Sequence, residues 1–132
     1  MVLQVKMNKY IAILLLAFAG SATAVDYNCI VNKKLTSEKT YTAQEIAKGQ
    51  FSIKIEERGN KVFVSRCFYR SIVKKVLCHQ YEADKVVFDE NTKIKKIHYS
   101  RVGEVEIFAD LSFSDYFGRG HASYGNCKIV SP

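Results

Sequence analysis

Ala83-Asp84-Lys85-Val86-Val87-Phe88-Asp89-Glu90-Asn91-Thr92-Lys93-Ile94-Lys95-Lys96-Ile97-His98-Tyr99-Ser100 reads as a β-hairpin. β-Branched and aromatic residues flank the cluster Asp89-Glu90-Asn91-Thr92, whose short polar side chains favour turning over extended pairing. In the second arm Ile94, Lys96, His98 and Ser100 fall on one face and Lys93, Lys95, Ile97 and Tyr99 on the other, because side chains alternate along a strand. Neither set is purely apolar, so one side of the sheet that contains this hairpin is expected to be wet.

Upstream, Val62, Val64, Arg66 and Phe68 alternate with Phe63, Ser65, Cys67 and Tyr69, which predicts a strand over residues 61–70. Residues 72–79 predict a second strand, with Lys74 and Lys75 facing opposite ways. Downstream of a break at Gly103, residues 104–113 set Val105, Ile107, Ala109 and Leu111 against Glu104, Glu106, Phe108 and Asp110, the pattern of another long strand. Residues 114–120, with Gly118, Gly120 and the aromatics Tyr116 and Phe117, predict a loop, and residues 123–130 a closing strand. Before the strands, residues 25–39 form a polar segment. Thr42 and Glu45 then have the spacing of a capping box, with Ala43, Ile46 and Ala47 as the apolar stripe of a helix. Two readings follow: Gly49 ends the helix and Phe51, Ile53 and Ile55 begin a strand, or the helix runs through Glu57. The second is the expectation carried forward, and Gly59-Asn60 is a turn in either case.

The 132 residues have room for one domain, and 48% apolar composition with eight Tyr and eight Phe is enough for one core. Lys6 and Lys9, an apolar run over residues 11–19 and then Ala22-Thr23-Ala24 follow the order of a secretory signal cleaved after Ala24. The run is too short to span roughly 30 Å of hydrocarbon, and no other stretch is apolar enough, so the mature chain over residues 25–132 is expected to be secreted and free of the membrane. It keeps 18 basic against 13 acidic residues, a net charge of +5. That balance suits a polyanion such as RNA, and it also serves solubility alone. Cys29, Cys67, Cys78 and Cys127 all lie beyond the cleavage position. An even number in a small secreted chain predicts two disulfides, and no Cys/His spacing suits zinc, so neither metal nor cofactor is expected. Spacing alone leaves the three pairings open.

The hairpin resembles the central one of the small secreted fungal guanyl-specific ribonucleases, in which an Ala-Asp-Arg-Val-Val-Phe strand and its return arm carry a catalytic Arg and a catalytic His. Lys85 stands where that Arg would be and Ser100 where the His would be, with His98 one step earlier on the same face. Asp26-Tyr27-Asn28-Cys29 is similar to the start of those enzymes, and Thr42-Ala43-Gln44 to a piece of their single helix. The resemblance implies an α+β fold, one helix packed on a twisted antiparallel sheet. It also implies the pairs Cys29–Cys127 and Cys67–Cys78, the second clipping neighbouring strands. The departures are equally specific. The family's Tyr-Pro-His segment, its Asn-Asn-Tyr-Glu guanine-binding turn and the Glu on its next strand are missing; the only proline is Pro132, and residues 61–80 hold no carboxylate. Tyr27-Asn28-Cys29 directly after a leader also resembles the aromatic-x-Cys mark of secreted powdery-mildew effectors, many of which are similar to ribonucleases that have lost their catalytic residues.

RNA cleavage by that enzyme family needs a base for the ribose 2′-hydroxyl, an acid for the leaving oxygen and cations on the phosphate. The chain is therefore read as a non-enzymatic effector with no catalytic residue, released by a fungal pathogen into a plant host. Its expected partners are RNA, a host protein or an immune receptor, and it is expected to be a monomer. Arg66, Lys74, Lys85, Lys96, His98 and Arg101 would supply cations for phosphates, and Tyr69, Tyr99 and Tyr124 rings on which bases stack. The competing reading is a divergent guanyl-type endoribonuclease using Lys85 and His98.

Overall fold

Strand alternation runs through most of the described residues, and the strands close on themselves. In the computed structural model, which describes residues 25–130, eight antiparallel strands follow one another around a closed barrel. They are β1 (Asp26–Leu35), β2 (Ser52–Arg58), β3 (Lys61–Arg70), β4 (Lys75–Phe88), β5 (Lys95–Tyr99), β6 (Gly103–Ile107), β7 (Ser112–Phe117) and β8 (Ala122–Val130). Each pairs with the next, and β8 returns to β1 from Asp26↔Val130 to Leu35↔Ala122. The leader expected at residues 1–24 lies outside the described residues.

The expected α+β architecture is overturned. The helix α1 (Ala43–Gly49) is 7 residues long, buries none of them and lies against β1 and β3. Its start is as expected: Thr42 accepts from the Glu45 amide while the Glu45 side chain accepts from the Thr42 amide. Its end is not, because Gln50 turns left-handed at φ 47° and the chain enters β2, with Ile53 and Ile55 pointing inward. The alternation of residues 51–56 thus outweighed the ribonuclease resemblance. Residues 26–35, read as part of a polar segment, form β1, in whose first half Tyr27, Cys29 and Val31 alternate with Asn28 and Ile30. The expected long strand after Gly103 breaks at residues 108–111, where Leu111 takes φ 68°, and the expected loop is largely β7. A sheet that curls until its edges meet covers its own apolar face and needs no packed helix.

Val31, Ile53, Ile55, Val64, Ile97, Val105 and Phe113 fill the middle of the barrel, each almost fully buried. A side chain of this kind contributes about 1.5–3 kcal/mol by leaving water. The outer positions between them carry Lys54, Glu56, Lys96, His98, Glu104 and Glu106, the reverse of a barrel that faces lipid. Among the described residues no helix is long and apolar enough to cross a membrane. The expected hairpin is β4 and β5, its turn held by the Asp89 carboxylate, which accepts from the amides of Asn91 and Thr92. Both disulfides join directly opposed residues, Cys29–Cys127 across the β1–β8 seam and Cys67–Cys78 across β3–β4, the pairing that the resemblance implies.

Two bulges set which side chains face in. In β1 Val31 pairs with Gly125 but Lys33 with Tyr124, so Asn32 is the extra residue and Lys34 comes opposite Ser123 on the inner side. In β4 Ala83 pairs with Tyr99 but Lys85 with His98, so Asp84 is extra and Lys85 joins His98 on the outer side.

Candidate functional site

The nine residues expected to bind RNA do not share a surface. Lys85, His98 and Glu104 lie in one row across β4, β5 and β6, since Lys85 pairs with His98 and His98 with Glu104. No hydrogen bond or ion pair joins these three among the described residues. Lys96, on the same outer face, has its ammonium 3.8 Å from Oε1 of Glu106. Arg101 sits in the β5–β6 turn, where its amide donates to Asp84, and Lys74 in the β3–β4 turn at φ 54°. Tyr69 is on the outside of β3, beside α1. Tyr124 is on the outside of β8, edge-on to Tyr116, with the Lys33 ammonium 5.8 Å from its ring centre. Tyr99 is fully buried inside the barrel, so no base can stack on it. Arg66 also faces inward, opposite Ile53.

Arg66 leads to a different site, at the end of the barrel where β1, β3, β4 and β8 open. Here the inward positions turn polar: Lys34 on β1, Arg66 on β3, His79 and Tyr81 on β4, and Ser123 on β8 surround a cavity of about 130 Å³. That volume holds a few water molecules or one small polyatomic group. Arg66 Nη2 lies 3.3 Å from Oδ2 of Asp115, and the two side chains are 24% and 0% exposed. The pair is close but not aligned as a hydrogen bond, and among the described residues both Asp115 Oδ2 and Arg66 Nε are buried without a hydrogen-bond partner. The guanidinium also lies over the Phe117 ring, 4.1 Å from its centre. Tyr99 donates to Asp115 Oδ1 over 2.6 Å, and Tyr81, Tyr99 and Phe117 pack together beneath. Lys34 donates to Ser123 Oγ at 3.4 Å, and its ammonium lies 5.0 Å from the centre of the Phe51 ring. The imidazole of His79 stacks on Phe68.

Burial dominates the electrostatics. It pushes the Asp115 carboxyl up, against the opposing pull of Arg66, Tyr99 and Lys34. It pushes the Lys34 ammonium down, and Arg66 adds like-charge repulsion that Asp115 only partly offsets. The Tyr99 hydroxyl is pushed up by burial and by the neighbouring carboxylate, so it remains a donor.

Asp115 stands behind Arg66 and does not line the cavity, so among the described residues the lining holds three basic groups, Lys34, Arg66 and His79, and no carboxylate. Sequence reasoning singled out Arg66 but missed Lys34 and Asp115. A usable signal for Asp115 is present, since it stands between Phe113 and Phe117 at i±2, an acid on an apolar strand face. The inward aim of Lys34 depends on the bulge at Asn32 and has no local mark. Among the described residues no cluster of three or more His, Cys, Asp or Glu is placed to hold a metal ion. No family model, no curated protein and no solved structure matches this chain.

Proposed function

We propose that this chain is a secreted, non-catalytic binding protein of the effector kind, released by a fungal pathogen into a plant host, and that its partner there is RNA. The ribonuclease part of the resemblance falls with the α+β fold. The leader pattern, the Tyr27-Asn28-Cys29 mark and the paired cysteines support secretion and the effector reading. The observation that carries the binding reading is the cavity lined by three basic groups and no carboxylate, in a chain that is itself basic. Keeping Lys34 and Arg66 together, partly desolvated, against one carboxylate is a poor use of charge for stability and a good one for holding an anion.

The test uses mature protein at micromolar concentration with labelled single-stranded RNA. Binding should be detectable at low salt and weaken linearly in log salt, with no cleavage. Turnover that disappears in Lys85→Ala or His98→Ala would replace the reading with the endoribonuclease alternative, and no binding at low salt would remove RNA as the partner.

A second reading, a host protein or immune receptor as partner, is favoured by apolar side chains on and beside β4: Ile72 is 82% exposed, Phe88 49% and Val76 44%. Substitution of these by Ser should then abolish partner binding while leaving RNA binding unchanged.

A further inference from the structure

We infer that the barrel mouth is a site for a phosphate monoester, either a free phosphorylated small molecule or the phosphorylated end of an oligonucleotide. The inference rests on the anion-binding reading above and adds the ligand class.

Three features select the ligand. The first is charge. Lys34, Arg66 and His79 come from β1, β3 and β4 and face one cavity that no carboxylate lines. A dianionic monoester matches two fixed cations better than a monoanion. The second is donor geometry. Arg66 is backed by Asp115 through Nη2 at 3.3 Å and covered by Phe117, while its side chain stays 24% exposed and lines the cavity; a guanidinium edge pairs two N–H groups with two oxygens of one anion. Among the described residues Lys34 has one hydrogen-bond acceptor, Ser123 at 3.4 Å, so its ammonium has donors left for another oxygen. A tetrahedral oxyanion offers oxygens in three directions, whereas a planar carboxylate offers two in one plane. The third is space. About 130 Å³, with Tyr81, Val31 and Ile53 in the wall, admits one compact group.

Asp115 and Tyr99 are positioning residues here. Asp115 holds the guanidinium from behind, and Tyr99 holds Asp115 through its hydroxyl.

The test titrates the mature protein with inorganic phosphate, sulfate and acetate by calorimetry at low ionic strength. It then compares one short single-stranded oligonucleotide with a 5′-phosphate and with a 5′-hydroxyl. Phosphate should bind with one-to-one stoichiometry and acetate should not. Lys34→Gln, which removes a half-buried side chain with one long hydrogen bond, and Arg66→Lys, which keeps the charge but loses the fork, should each weaken phosphate binding about tenfold. The 5′-phosphorylated strand should bind about tenfold more tightly than its hydroxyl twin, and Lys34→Gln should erase that preference. Equal binding of phosphate and acetate, no phosphate binding, or phosphate binding unchanged in both variants overturns the inference. Salt-sensitive binding of both strands alike, with no response to phosphate, removes the monoester site and leaves the RNA reading standing. Phosphate binding lost in both variants, with neither strand bound, upholds the site and removes RNA as the partner.

Discussion

Tyr99 on β5 reaches Asp115 on β7 across the intervening strand: its hydroxyl donates to Oδ1 over 2.6 Å, and both side chains are shut off from solvent. The crossing depends on Gly103, which pairs with Tyr99 on β6. A Cβ there would sit 2.6 Å from the Tyr99 ring, so the missing side chain is the space through which the ring lies. A glycine, a tyrosine and an aspartate on three successive strands thus set the position of Arg66 at the mouth.

Replacing Tyr99 with Phe keeps the ring and leaves a buried carboxylate oxygen without its donor. The expected loss is about 1–3 kcal/mol in unfolding free energy, read from urea melts. A change within error would mean that Asp115 finds another donor.

The Asp115 carboxyl is raised above its ordinary 3.8, chiefly by burial. The native state therefore holds this proton at pH values where the unfolded chain has released it. The group's contribution to stability is fully present below 3.8 and is lost as pH rises through the folded value. Relative to Asp115→Asn, the wild type should lose stability as pH increases across that window, in paired denaturation series. Asp26, held down by Arg58, has the opposite slope, but it is present in both proteins and cancels in the difference. A rising difference would refute the assignment.

Gly125 on β8 lies against β1: a Cβ there would sit 1.9 Å from the Ile30 carbonyl oxygen and 2.8 Å from the Phe113 ring. Gly125→Ala should therefore open the β1–β8 seam. Amides of both strands should exchange much faster, and mispaired or reduced Cys29 and Cys127 should appear in peptide maps. Unchanged protection in both strands would mean that the barrel is not closed there.

The two disulfides should differ in worth. Cys29–Cys127 spans 98 residues and Cys67–Cys78 spans 11. In the chain-entropy model the longer closure stabilises by about 4–5 kcal/mol and the shorter by about 3. Paired Cys→Ala variants, compared by melting, should follow that order. The reverse order would show that the β1–β8 bond carries native strain or that the unfolded chain keeps the seam.

Part of the fold was legible locally. Val86, Val87, Phe88 and the Asp89-Glu90-Asn91-Thr92 turn identify the β4–β5 hairpin because turn chemistry and alternation act over a few residues. The capping box of Thr42 and Glu45 was equally plain, and the length of α1 was not, because Gln50 accepts a left-handed conformation that its residue type does not advertise. Residues 51–56 had the right pattern from the start, and the expectation of a longer helix came from resemblance. The candidate site was barely legible. Arg66 was singled out for its charge on a strand, whereas Tyr99 was given an exposed role that its burial excludes.

The sequence by itself determined where most strands lie, that their side chains alternate between two faces, and that four cysteines follow a leader pattern, because periodicity and spacing are properties of neighbours along the chain. Which face turns inward, and what meets there, was decided only by tertiary structure. The pairing of β1 with β8 closes the sheet, and the bulge at Asn32 aims Lys34 inward. The absence of a side chain at Gly103 lets Tyr99 reach Asp115. Each of these joins residues far apart along the chain, and no local pattern encodes such a meeting.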